Sequence, residues 1–137
     1  MERRPPGMHR TAAQQAGDTA EQRAAAHLVG MGWTVLGRNV RVGRGELDLV
    51  AIDPGRPPTL VIVEVRWRRD RGFGLPEETV DGRKRRRVRH AAYGLLARGC
   101  LADGTALPDL PVRFDLVCVE PGSGRERWTV RHHRAAL

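Results

Sequence analysis

The sequence predicts an α/β domain: a sheet of about five strands flanked by two main helices. Three observations predict it. Apolar and polar residues alternate over 46–52, 59–67 and 112–120, the period of a strand. Apolar residues recur at helical spacing over 18–31 and 81–98. Proline- and glycine-bearing turns separate these segments. The chain of 137 residues, 40% hydrophobic, suits one domain with one modest core.

Residues 1–16 are polar and arginine-bearing, with Pro5-Pro6-Gly7. They are expected to form a disordered basic tail, with the single domain spanning 17–137. The first helix is expected to begin at Asp18, because Asp18-Thr19-Ala20-Glu21 has capping-box spacing. Its apolar side is Ala20, Ala24, Ala25, Leu28 and Met31, and Gly30 and Gly32 end it. Glu21 lies within or beside that stripe. It serves either the cap or the sheet face. Trp33–Arg41 reads as the first strand, and Val42-Gly43-Arg44-Gly45 turns it into the second.

The second and third strands form a hairpin, Gly45 to Arg69. Leu47, Leu49 and Ala51 are expected on one face of the second strand, with Glu46, Asp48 and Val50 on the other. In the third strand Val61, Val63 and Val65 oppose Leu60, Ile62, Glu64 and Arg66. Asp53-Pro54-Gly55-Arg56-Pro57-Pro58 breaks both strands, since proline lacks a ladder donor. A register symmetric about Arg56 sets Asp48 opposite Glu64 and Glu46 opposite Arg66. Facing carboxylates repel unless a cation lies between them. The hairpin is therefore a candidate divalent-metal site. A competing reading is a pair of salt bridges, such as Glu46 to Arg66 across the hairpin. Pattern alone favours the salt bridges.

Next comes a basic, glycine-containing loop, 68–76. A second helix runs from about Asp81 to Arg98, with Val88, Ala91, Ala92, Leu95 and Leu96 inward and Gly99 as its C-cap. On this helix Lys84 falls in the apolar stripe and Arg86 points away. Basic charge at a helix N-terminus opposes the macrodipole, so an anion such as phosphate or the sheet carboxylates is expected nearby. Residues 100–110 are loop. Val112–Glu120 is a strand with Val112, Phe114, Leu116 and Cys118 on one side. Pro121-Gly122-Ser123-Gly124 turns into a last strand, about Glu126–Arg131. His132-His133 reads as a surface pair.

Charge points to a partner. The chain has 24 Lys and Arg against 16 Asp and Glu, a net +8. Residues 66–90 alone hold ten basic against four acidic side chains. Such a concentrated patch beside carboxylates suggests a polyanion, most simply nucleic acid. Arg68, Arg69, Arg71, Arg83, Arg85 and Arg87 are the candidate phosphate contacts. Lys84 is the only lysine. The two cysteines, Cys100 and Cys118, lack metal-ligand spacing and suit a reducing, cytoplasmic setting. The N-terminus lacks the apolar segment of a secretory signal. No apolar run approaches the ~18 residues of a membrane span, so no membrane partner is expected.

Gly45-Glu46-Leu47-Asp48-Leu49-Val50-Ala51, then Val63-Glu64-Val65-Arg66, Phe73-Gly74 and Lys84 together resemble the YraN-like family of small bacterial proteins. So do Gly17 to Leu28 with Glu21, Gly32 to Asn39, and Arg113-Phe114-Asp115. The resemblance covers nearly everything from residue 17 onward. That family is similar to the PD-(D/E)xK nuclease superfamily, in particular to Holliday-junction resolvases. It implies a restriction-endonuclease-like core with a mixed sheet. It also implies Mg²⁺ (or Mn²⁺) held by Asp48, Glu64 and the Val65 carbonyl, with Glu21 contributing, and catalytic roles for Asp48, Glu64, Arg66 and Glu21.

The activity so implied is metal-dependent phosphodiester hydrolysis on DNA, branched or flapped forms among its substrates. Resolvase-like relatives act as homodimers, although no dimer surface is legible here. The resemblance reverses the salt-bridge preference for Asp48 and Glu64. The departure is Arg66, where the superfamily motif has lysine: arginine cannot act as a base but can hold a phosphate oxygen. Lys84 is the candidate to supply the missing ammonium. Two alternatives stand beside the nuclease: a catalytically inactive nucleic-acid-binding module of the same fold, and a protein-interaction module docking through its basic helix.

Overall fold

The computed structural model describes residues 11–70, 72, 74–122 and 127–137. Its elements are helix α1 (Ala12–Gly30), strands β1 (Thr34–Val42), β2 (Gly45–Asp53) and β3 (Thr59–Trp67), a 3-10 turn (Pro76–Thr79), helix α2 (Gly82–Arg98), and strands β4 (Val112–Pro121) and β5 (Trp128–His133). The five strands form one sheet in sequence order. All neighbours are antiparallel except β3 and β4, which run parallel. The sheet is therefore mixed, as expected, and α2 is the crossover that a parallel pair requires.

Two apolar layers sandwich the sheet. Ala20, Ala24 and Leu28 of α1 pack on Leu49, Ala51, Val61, Val63, Val65, Val117 and Val119. Val88, Ala91, Ala92 and Leu95 of α2 pack on Leu47, Val50, Leu60, Ile62, Leu116 and Cys118. The central strand β3 is buried from Thr59 to Val65 because helices cover both its faces. Leu28 is fully buried, and cutting such a side chain back to alanine costs about 2–5 kcal/mol.

α2 starts and stops where its sequence says. The Asp81 carboxylate accepts the Lys84 N–H at 2.9 Å as N-cap. Gly99 ends the helix at φ 77°, a left-handed conformation that a Cβ would strain. α1 departs from expectation. It begins at Ala12, not Asp18, because Thr11 and Gln14 form the capping box: the Thr11 hydroxyl accepts the Gln14 N–H, and Gln14 accepts the Thr11 N–H. The segment expected as tail is thus helical from residue 12, while residues 1–10 lie outside the described residues.

Met31 is an exposed C-cap, not part of the buried stripe. β5 begins at Trp128 and extends through His133; the expected turn residues Ser123 and Gly124 and the expected strand start at Glu126 lie outside the described residues. Among the described residues, no helix is long and apolar enough to cross a membrane.

Candidate functional site

Asp48 sits where the β2–β3 ladder ends. The symmetric register holds from Asp53↔Thr59 to Leu49↔Val63 and stops there. One residue further, the Asp48 side chain takes over from the backbone: its Oδ2 accepts the Val65 N–H at 2.8 Å. Strand alternation breaks at the same point. Leu47 and Val50 both face α2, whereas Leu49 and Ala51 face α1. This corrects the expectation that Leu47, Leu49 and Ala51 share a face.

Across the other ladder, pairing passes from Arg38↔Leu49 to Val40↔Leu47, skipping Asn39 and Asp48. Asn39 has φ 49°, the left-handed region that asparagine tolerates better than most residues. The register itself shifts earlier, between Val35 and Gly37, and at the level of Asn39 the Asp48 side chain, not its backbone, meets β3. A residue's N–H and C=O leave a strand on the same edge. The Val65 carbonyl therefore points toward the edge where Asp48 lies.

The two helices face neighbouring carboxylates, α2 that of Glu64 and α1 that of Asp48. Glu64 extends toward α2 and is 3% exposed; its Oε1 lies 3.1 Å from the Lys84 Nζ and 3.6 Å from the Arg66 Nε. Arg66 therefore pairs with Glu64, not with Glu46, so the competing cross-hairpin salt bridge does not form. Burial and the adjacent Glu64 charge push the Asp48 carboxyl up, while the Val65 N–H and Lys84 pull it down.

From α1, Glu21 faces Asp48. Its carboxyl is pushed up to about 7, first by burial and next by the charge of Asp48, against a hydrogen bond from Asn39. Its Oε2 is buried without a hydrogen-bond partner. Of the two roles weighed for Glu21, capping belongs instead to Thr11 and Gln14, and Glu21 serves the sheet face. Asp48, Glu64, Glu21 and Lys84 thus come together from four elements.

The chemistry of this cluster suits a hard divalent cation, although the oxygens of Glu21, Asp48 and Glu64 do not all lie within 4.8 Å of one another. Its donors are all oxygens, its carboxylates repel one another, and one buried oxygen lacks a partner, the features Mg²⁺ satisfies. Two clefts flank it. One of about 350 Å³ is lined by Val65, Arg66, Trp67, Arg68, Arg69 and Thr79. The other, about 670 Å³, runs past Glu21, Asn39, Arg38, Arg41 and Glu46. Of the phosphate-contact candidates, Arg69, Arg83, Arg85 and Arg87 are exposed and Arg68 is half-buried. Arg68 Nε and Arg66 Nε are buried without hydrogen-bond partners. Arg71, like Phe73, lies outside the described residues. Arg89 has other work: its guanidinium stacks 4.4 Å over the Phe114 ring and donates to the Leu137 carbonyl.

Three features escaped the sequence. Asn39 bonds Glu21 and sits at φ 49° within β1; an asparagine inside a strand was the available signal. Asp115 is fully buried and accepts hydrogen bonds from Arg113 and the Ala135 N–H, with His132 Nε2 at 2.8 Å. His132 is therefore a buried partner, not half of a surface pair. On the opposite face Arg131 clamps Glu77 and pairs with Glu120. These last two networks join residues far apart in sequence, and no local spacing announces them.

Residues 20–119 match the model of "Uncharacterised protein family UPF0102". A UPF0102 protein of Symbiobacterium thermophilum is 45% identical over 114 residues, covering 82% of this chain and 89% of its own. Another from Deinococcus radiodurans is 41% identical over 117 residues, covering 85% of each chain. One from Chlorobaculum parvum is 36% identical over 130 residues, covering 92% of this chain and 94% of its own. With the matched span holding every element from mid-α1 to β4, the chain belongs to the UPF0102 family, the YraN family.

Proposed function

We propose that this protein is a metal-dependent nuclease acting on DNA, branched or flapped forms among its substrates. The observation that carries the reading is Lys84. Its ammonium reaches Glu64 at 3.1 Å from a different element than the superfamily's motif lysine would use. Two acids, an ammonium and a basic groove are the minimum parts for phosphodiester hydrolysis.

Asp48 and Glu64 would hold Mg²⁺ (or Mn²⁺), with the Val65 carbonyl and Glu21 completing the oxygen set. Once bound, the ion polarises the scissile phosphate and activates a water. The chain's own groups do the rest. The Val65 N–H fixes the Asp48 carboxylate. Lys84 presents N–H donors where negative charge builds on the phosphate in the transition state. Arg66, permanently charged, holds a phosphate oxygen and does not take a proton. Arg68, Arg69, Arg83, Arg85 and Arg87 grip the flanking backbone. The proposal includes a cytoplasmic setting and a homodimer, which would bring two such centres to two strands.

A second reading is favoured by Arg66. Its head lies 3.6 Å from Glu64, close enough to compete with a metal ion, and would leave a nucleic-acid-binding module without cleavage. The deciding experiment incubates the protein with junction, flap, duplex and single-stranded DNA, with Mg²⁺, with Mn²⁺ and with chelator. Cleavage that needs metal and disappears in Asp48→Ala supports the nuclease. Salt-sensitive binding with no cleavage of any substrate supports the module. Neither binding nor cleavage rejects both.

A further inference from the structure

Beside Arg66, on the same face of the sheet, three ligand-type side chains converge from three elements. The Glu77 carboxylate in the 3-10 turn, the Cys118 thiol on β4 and the His133 imidazole on β5 bring one ligand atom each to within 4.8 Å of one another. Sheet register explains the meeting. Cys118 pairs with Arg66 on one side and Arg131 on the other, and His133 lies two residues beyond Arg131 on the same face. The 3-10 turn packs against β3 and β4 and brings Glu77 over that face. Cys118 is fully buried, while Glu77 and His133 are half-buried. An ion can therefore enter from solvent and end on sulfur.

The surroundings are built for a ligand carboxylate. Arg131 donates to both Glu77 oxygens, at 2.7 and 2.9 Å, and pairs with Glu120 behind. Outer partners of this kind orient a ligand and fix its charge. The Cys118 thiol is buried beside the Glu77 carboxylate, so a cation held between them would meet thiolate and carboxylate together.

We propose that Glu77, Cys118 and His133 form a binding site for a zinc-class transition ion, distinct from the Asp48–Glu64 centre. Thiolate, imidazole and carboxylate are zinc's donors, and three protein ligands leave a fourth, tetrahedral position to water. Zn–S of about 2.3 Å and Zn–N or Zn–O of about 2.0 Å put tetrahedral ligand atoms roughly 3.3–3.7 Å apart. Ligand atoms up to 4.8 Å apart therefore draw together by up to roughly 1.5 Å, while His133 Nε2 and the Glu77 oxygen 2.8 Å from it move slightly apart.

On binding, the Cys118 S–H bond breaks, its proton leaves to solvent, and a sulfur–metal bond forms. His133 binds through Nε2 with its proton on Nδ1, giving up its 2.8 Å contact with Glu77. No electron changes hands. Thiolate, carboxylate and Zn²⁺ sum to neutrality. The ion would fasten the 3-10 turn to the β4–β5 edge, and Thr79 in that turn lines the cleft that holds Arg66, Arg68 and Arg69.

The test uses the full chain, stripped with chelator and titrated with Co²⁺ and then Zn²⁺. Expected are a thiolate-to-cobalt charge-transfer band saturating at one equivalent, tetrahedral visible bands, and their loss as Zn²⁺ displaces Co²⁺ with release of about one proton. Cys118→Ser should abolish the band, and His133→Gln should weaken binding at least about tenfold. Cys100→Ser and Asp48→Asn should leave both unchanged. A folded wild-type protein with no thiolate band at stoichiometric Co²⁺ overturns the site. So does a band that survives Cys118→Ser or disappears in Asp48→Asn. If Cys118→Ser does not fold, as judged by circular dichroism, His133→Gln carries the test, and unchanged affinity there overturns the site.

Discussion

The Lys84 ammonium, in the first turn of α2, lies 3.1 Å from Oε1 of Glu64 on β3. The Asp81 cap aligns the helix so that its basic N-terminus faces an anion, which offsets the unfavourable dipole. If this ammonium serves the transition state, Lys84→Ala lowers metal-dependent cleavage by about 100-fold while DNA affinity barely changes. Lys84→Arg restores part of the rate. Single-turnover rates and binding isotherms at one salt concentration check both. Equal loss of rate and affinity would make Lys84 a binding residue only.

Arg66 stands where the sequence resemblance places the superfamily's motif lysine. It is held between Glu64 and a cleft wall, with its Nε buried and unbonded. Lysine carries a compact charge and sheds the planar fork that competes for Glu64. Arg66→Lys is therefore expected to tighten Mg²⁺ binding and raise cleavage by roughly tenfold. Isothermal titration of Mg²⁺ with matched kinetics decides it. A slower variant would mean that the guanidinium itself holds the scissile phosphate.

Asp48 faces two other carboxyl groups, Glu64 and Glu21. An amide at position 48 still accepts the Val65 N–H but removes the repulsion. Metal-free Asp48→Asn should melt at or above the wild-type temperature. Mg²⁺ should stabilise the wild type, by about 2.7 kcal/mol at a hundredfold excess over Kd, and leave the variant unmoved. Differential scanning calorimetry with and without Mg²⁺ reads both. Equal Mg²⁺ stabilisation of the two proteins would place the ion elsewhere.

The hairpin and the candidate centre were legible in unequal measure. The register from Asp53↔Thr59 to Leu49↔Val63 follows from a proline-rich turn that allows few alternatives. Lys84 pointing inward follows from helical geometry and the Asp81 cap. The break in alternation at Asp48 was hidden because Leu47 and Val50 are both apolar, so strict alternation and its interruption read alike. In α1 the sequence points to a capping box at Asp18–Glu21, whereas the one that forms, Thr11–Gln14, lies earlier in the chain. The first turns of the helix are exposed, so no apolar period favoured the earlier one. The Asp115–His132 and Glu77–Arg131 pairs bridge 17 and 54 residues, beyond any local pattern.

Salt dependence separates phosphate contacts from protein docking. Arg83 and Arg87 are exposed on α2 and line one groove with Arg44 and Arg86. Each arginine that neutralises a phosphate contributes about −0.9 to the slope of log K against log salt on duplex DNA. Arg83→Ala and Arg87→Ala should each flatten the slope by about one. Arg89→Ala, whose guanidinium is engaged with Phe114 and Leu137, should instead lower the melting temperature and leave the slope alone. Slopes from fluorescence anisotropy over a salt series decide it, and unchanged slopes for Arg83 and Arg87 would remove α2 from the interface.

Asp115 supplies the acid sensitivity. Burial alone would raise its carboxyl, but hydrogen bonds to His132, Arg113 and the Ala135 N–H outweigh burial and bring it down to about 2. A depressed carboxyl stabilises the fold above its unfolded value, near 3.8, because the unfolded chain then binds the proton more readily. That stability is present at neutral pH and is lost as pH falls from about 4 toward 2. The wild type should therefore lose stability steeply across that window. Asp115→Asn removes a charge that Arg113 and the Ala135 N–H depend on, leaving buried donors poorly matched. It should be less stable at pH 7 by about 3–5 kcal/mol, the cost of breaking a buried pair from one side, and show a shallower acid slope. Urea melts between pH 7 and pH 2 measure both, and an Asn variant with the wild-type acid slope would assign the sensitivity to other carboxylates, Glu77 first among them.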